Sequence, residues 1–198
     1  MPHGLRRLGQ WRLPMAFCVF SAGLQTLGEP AILALRLESE SVWLEPWRLL
    51  TGHWVHLTWH HWLLNMASLG LFISLFPLLL RPVYLLGLGL GASLGVDVGL
   101  LWLHPDVAWY VGLSGVLYGL LAGAAVIAWR RDPWLSAIVL VLLGLKLVTD
   151  QWVGTPWVTE QLVGGRVIAA AHSYGAAGAV LAAAGYYVLM RFTKRRKQ

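Results

Sequence analysis

The sequence predicts an all-α membrane protein of six transmembrane helices with both termini on the cytoplasmic side, and three observations carry that reading. Hydrophobic residues make up 58% of the 198-residue chain and charged residues only 12%, against about 45–50% and about 25% in soluble domains. Apolar runs recur along the chain at about 18–20 residues, the length a helix needs to cross a bilayer. The basic residues flank those runs: Arg6, Arg7 and Arg12 precede the first, Arg81 and Arg130–Arg131 separate later ones, and Lys194, Arg195, Arg196 and Lys197 follow the last. That distribution is the positive-inside signal. It also turns the net charge of +6 into a topology signal, since no basic stripe with interleaved aromatics points to nucleic acid.

The spans are read as 13–27, 62–80, 83–103, 113–129, 134–153 and 167–190, within a single membrane domain over 1–198. The basic start followed by an apolar stretch imitates a signal peptide, but no small-x-small cleavage site follows, so the first span is read as retained. Gly28-Glu29-Pro30 interrupts it; whether the apolar piece at 31–37 extends the helix or lies in the interface stays open. Residues 29–61 form the first periplasmic loop, long enough to be functional or partly embedded. With six spans, the turns at Arg81 and Arg130–Arg131 fall inside, and the segments around 39–45, 104–106 and 154–160 fall outside. Trp43, Trp47, Trp54, Trp109, Trp129, Trp134 and Trp157 lie near span ends, as an aromatic belt would. Cys18, the lone cysteine, has no intramolecular disulfide partner and is read as packing.

Three polar constellations interrupt this apolar background. His61 and Asn65, four apart at the start of the second span, project from one face of a helix. Gly112-Leu-Ser114-Gly115-Val-Leu-Tyr118 puts a hydroxyl between glycines at the outer end of the fourth span. Ala171-His172-Ser-Tyr-Gly175 puts a histidine in the last span, about 6–9 Å down from its outer end at about 1.5 Å per residue. All three fall in one shallow layer, where polar groups inside a membrane need partners.

Each has a blander reading. A small-Ser-small triplet is more often helix packing, a lone intramembrane histidine can bond a neighbouring carbonyl, and His53, His56 and His60 are more simply structural than metal-binding. Together they offer peptide hydrolysis. Ser114 is a weak nucleophile until a base takes its proton, and the imidazole of His172 suits that task near neutral pH. His61, the Asn65 amide and the Ser114 backbone N–H are candidate donors to an oxyanion, while Gly112 and Gly115 allow close backbone approach. No HExxH argues for a zinc protease, neither Asp97 nor Asp150 sits in a GxGD sequence, and no two-half repeat argues for a transporter. The chemistry calls for no cofactor and no metal.

In order and spacing, Trp47-Arg48, His56, His61-x-x-x-Asn65, Gly112-x-Ser114-Gly115-x-x-Tyr118, Arg131-Asp132-Pro133 and Ala171-His172-x-x-Gly175 resemble the rhomboid intramembrane serine proteases. The resemblance implies a six-helix rhomboid bundle. It implies Ser114 as nucleophile, His172 as general base in a dyad, His61 and Asn65 at the oxyanion hole, and Tyr118 packed on the His172 ring. Where the family's last helix carries a second Gly, this chain has Ala179 with Gly178 beside it; alanine is small enough to keep that helix contact.

Gly52-His53-Trp-Val-His56-Leu, Gly112-Leu-Ser114-Gly115-Val-Leu and Lys146 followed by Asp150-Gln151 look most like the rhombosortases within that family. That resemblance implies membrane-anchored substrates ending in a Gly-Gly motif, a single helix and a basic tail. They would be released at the periplasmic face of a bacterial inner membrane. Trp47, Arg48, His53, His56, Lys146, Asp150 and Gln151 are then candidates for structural or substrate-recognition roles. For the intramembrane charges two readings stand: an Asp97–Lys146 ion pair or water link, and substrate recognition by Lys146 and Asp150. A rhomboid-like protein that binds membrane helices without cutting them is the rival from another class; retention of Ser114, His172, His61 and Asn65 speaks against it.

Overall fold

The structure, a computed structural model, describes residues 11–195; Arg6, Arg7, Arg196 and Lys197 of the basic clusters lie outside the described residues. Helix α1 (Arg12–Leu27) stops at Gly28, whose φ of +65° only glycine adopts readily. Helix α2 (Glu29–Leu35) starts afresh with Pro30 in its first turn and leaves at 113° to α1. The apolar piece after Gly28 therefore turns across the first helix and does not extend it.

The chain then pairs Leu37–Glu38 (β1) antiparallel with Trp109–Tyr110 (β2), in the register Leu37 to Tyr110 and Glu38 to Trp109. This two-residue ladder ties the segment after α2 to the segment that leads into Ser114. Helix α3 (Arg48–Thr51) follows. Arg48 is buried and donates to the carbonyls of Leu33 at 3.0 Å and Arg36 at 2.9 Å while pairing with Glu45. Thr51 donates to Leu35 O at 2.7 Å. Both side chains satisfy carbonyls at the open end of α2, which gives Arg48 a structural task.

Helix α4 (Trp59–Leu75) is capped by Thr58, whose hydroxyl accepts the His61 N–H at 3.1 Å. The helix stops at Leu75, short of the residue 80 that hydropathy suggests, because Pro77 has no N–H to continue the ladder, and the chain closes in a 3-10 turn at Pro77–Leu79. Helices α5 (Pro82–Leu103), α6 (Ser114–Ala128), α7 (Pro133–Trp152), α8 (Trp157–Val163) and α9 (Ala169–Arg195) complete the order. Helix α8 is an addition that the periodicity did not announce. Thr58 donates to Leu162 O and Val163 O, both at 3.1 Å, and so fastens α8 to the start of α4.

Among the described residues α5 and α7 are long and apolar enough to cross a membrane singly, with mean hydropathies of 1.6 and 1.7. The bent pair α1–α2 meets the same test only when taken together, and α6 is apolar but has 15 residues. Helix α4, with 17 residues, is too short for that test, and among the described residues α9 does not meet it either. The residues that lower their hydropathy include His60, His61 and Asn65 on one, and His172, Ser173 and Tyr174 on the other. Outward faces are nonetheless apolar: Leu86, Leu90, Leu94 and Val98 on α5 are half or more exposed, as are Ile138, Val141, Leu142, Leu145 and Val148 on α7. Continuous exposed apolar stripes of this extent fit a lipid solvent.

Small residues set the centre. α9 lies against α5 and α6 so closely that a Cβ on Gly175 would sit 2.0 Å from the Gly115 carbonyl oxygen. Ala179 is fully buried against Gly123 of α6, and Gly178 faces Gly91 and Gly95 of α5. The alanine in place of the family's second glycine thus keeps α9 seated against α6. Beneath this contact Leu69, Phe72, Leu88, Leu117, Leu120 and Ala183 form the apolar core.

Candidate active site

Ser114 opens α6 from a loop that its neighbours hold in place. Gly112 has φ +118°, and a Cβ there would lie 2.8 Å from Cε1 and Nε2 of His61, so both conformation and space demand glycine. The Gly112 N–H donates to Gly52 O at 2.9 Å, and the buried Tyr110 hydroxyl donates to Gly112 O at 3.0 Å. Burial pushes the Tyr110 phenol up to about 12, so it stays protonated and keeps donating.

From α9, His172 brings Nε2 to 3.0 Å from Ser114 Oγ. The Tyr118 ring, one turn below Ser114, stacks on the imidazole with centroids 4.2 Å apart and planes 4° from parallel. From α4, His61 Nδ1 accepts the Leu57 N–H at 3.3 Å. That contact assigns the imidazole proton to Nε2, on the side where Gly112 lies. Asn65 is buried and donates to His61 O at 3.1 Å, a bond within its own helix.

Ser114, His172, His61, Asn65, Tyr118, Lys146 and Asp150 line one cavity of about 630 Å³. Lys146 pairs with Asp150 one turn along α7, and the second Asp150 oxygen, Oδ2, lies 3.8 Å from His172 Nδ1. The Asp97–Lys146 pair that similar depth suggested does not form. Asp97 turns the other way, with Oδ1 3.2 Å from Nε2 of His53. Depth along a helix leaves its rotation open, and rotation chose the partner.

Other sequence candidates stand outside the cavity. His53 and His56 are almost wholly buried, His53 edge-on to Tyr110 and His56 edge-on to His61. Trp47 is half exposed at the start of α3, and Gln151 donates to Ser173 Oγ at 3.2 Å on an exposed face. Among the described residues no group of three His, Cys, Asp or Glu side chains converges as metal ligands would. Sequence reasoning missed Tyr110 and the Leu57 amide. A tyrosine two residues before Gly112 was the only trace of the first, and a backbone donor leaves none.

Burial, aided by the neighbouring His61, lowers the His56 imidazole to about 3 from its usual 6.5. Between those values the unfolded chain binds the extra proton, so His56 favours the fold above about pH 6.5 and withdraws that support as pH falls toward 3. Thermal unfolding in detergent is expected to show the melting temperature falling through this window, with a shallower slope for His56→Phe. Identical slopes would remove His56 as the cause.

The rhomboid domain family matches residues 44–188, well over half of the chain and all seven residues of the cavity named above. No curated protein matches the chain. A helical bundle with exposed apolar stripes, small-residue contacts at its centre and a cavity into which Ser114, His172, His61 and Asn65 converge agrees with that match, and the chain belongs to the rhomboid family of intramembrane serine proteases.

Proposed function

We propose that this chain is an intramembrane serine endopeptidase in which Ser114 is the nucleophile and His172 its base. The observation that carries the reading is the 3.0 Å contact of Ser114 Oγ with His172 Nε2 inside the cavity. The Ser114 proton passes to His172 Nε2 as Oγ bonds to the scissile carbonyl carbon. The C–N bond then breaks as the imidazolium gives that proton to the leaving amine, and water repeats the sequence on the acyl-enzyme. The oxyanion would be met by His61 Nε2–H, the Asn65 amide and the Ser114 backbone N–H. Tyr110 and Gly112 set the backbone that carries Ser114.

The topology of this reading is six spans with both termini in the cytoplasm of a bacterial inner membrane and the cavity open to the periplasm. The substrates are single-span proteins, and the rhombosortase-like segments favour C-terminal Gly-Gly, helix and basic-tail anchors. The test is reconstitution in liposomes with a reporter carrying such a tail. Cleavage of the reporter and labelling of Ser114 by a fluorophosphonate are expected. Absence of both, across several single-span reporters, would make the chain a non-catalytic binder of membrane helices. Equal cleavage of a reporter lacking Gly-Gly would remove the tail preference and leave the protease.

A further inference from the structure

The buried acid beside the base has no place in a two-residue mechanism. Asp150 Oδ2 and His172 Nδ1 are both buried, both lack a hydrogen-bond partner among the described residues, and face each other at 3.8 Å. An unsatisfied buried polar atom is costly. Here two of opposite capacity stand a fraction of an ångström outside hydrogen-bond range, and catalytic hydrogen bonds often tighten only when substrate binds. The carboxylate cannot rotate away freely, because Lys146 holds Oδ1.

We infer that Asp150 is a positioning residue for His172: Oδ2 accepts the Nδ1–H, which fixes the tautomer whose Nε2 lone pair receives the Ser114 proton and stabilises the imidazolium that results. The inference rests on the Ser114–His172 reading above and deepens it from a dyad to a relay of three groups on three helices. Among the described residues, the contacts of the imidazole fit the assignment. Ser114 and Tyr118 come from α6, Asp150 from α7 with Lys146 on its far oxygen, and His61 from α4. None of the others has an acceptor that reaches Nδ1.

Asp150→Asn carries a specific consequence. Lys146 would still claim the side-chain oxygen, which leaves the amide NH2 facing His172. A donor there forces Nδ1 to accept and moves the ring proton to Nε2, the wrong nitrogen for taking a proton from serine.

The experiment measures cleavage of the reporter and the labelling rate of Ser114 by a small fluorophosphonate, for wild type, Asp150→Asn, Ser114→Ala and His172→Ala. Asp150→Asn is expected to lower kcat and the labelling rate by roughly 10²-fold or more, with KM little changed. The acid limb of its rate–pH profile is expected to move to lower pH. A rise in KM with undiminished labelling by the probe, which has no peptide to recognise, would overturn the inference in favour of substrate recognition. Nitrogen NMR of His172 in the wild-type protein is expected to show the proton on Nδ1 at neutral pH, and a proton on Nε2 would overturn the inference even if Asp150→Asn fails to fold. Undiminished cleavage by Ser114→Ala and His172→Ala would instead overturn the underlying protease reading.

Discussion

Ser114→Ala and His172→Ala are each expected to lower reporter cleavage by about 10⁴-fold or more, and the double variant to be no worse than either alone. The reason lies in their contact. The Ser114 hydroxyl is a nucleophile only while His172 Nε2, 3.0 Å away, takes its proton. Without the base, the hydroxyl holds its proton and attacks poorly. Without the hydroxyl, the base has nothing to activate but water. Removing the second partner therefore removes nothing that still functioned. What remains in all three variants is binding and the oxyanion donors, which do not depend on either side chain. Initial rates with a tail-bearing reporter in liposomes measure this directly. A double variant whose loss equals the product of the two single losses would show that the groups act independently, and the proposed proton transfer would fail.

That Ser114, His172, His61 and Asn65 would lie at similar heights was a reading open to the sequence, because counting residues from helix ends places side chains along a helix axis, and all four line one cavity. Rotation about that axis was not. Asp97 and Lys146 read as partners at one depth, yet α7 turns Lys146 to Asp150 and α5 turns Asp97 to His53. The same gap hid Asp150 behind His172, although Lys146 and Asp150 at i and i+4 lie on one helix face by spacing alone. Contacts between distant segments were equally unreadable. The two-residue pairing of Leu37–Glu38 with Trp109–Tyr110 leaves no periodic trace, and it brings Tyr110 over the loop that carries Ser114. Hydropathy had a limit of another kind. Helices α4 and α9 carry His61, Asn65 and His172 of the cavity, and such polar residues lower the hydropathy by which a span is recognised.

Gly175→Ala is expected to destabilise the bundle by about 3 kcal/mol or more, a drop in melting temperature of roughly 10 °C. The new Cβ would fall 2.0 Å from the Gly115 carbonyl oxygen and 2.6 Å from its carbon. Both are backbone atoms, so no rotamer change relieves the clash, and α9 must move away from α6. That shift opens the contact between the helices and also carries His172, three residues before Gly175, away from Ser114, one residue before Gly115. A displacement of about 1 Å at a reacting pair can cost about 10²-fold in rate, so the variant that does fold is expected to cleave slowly as well. Gly144→Ala is the control. Gly144 lies inside α7, and a Cβ there meets nothing within 4 Å. Alanine is the better helix former by about 0.5–1 kcal/mol, so Gly144→Ala is expected to hold or raise the melting temperature. Thermal unfolding in detergent decides between them, and equal melting temperatures for the two variants would mean that the α6–α9 contact has room for a Cβ at Gly175 after all.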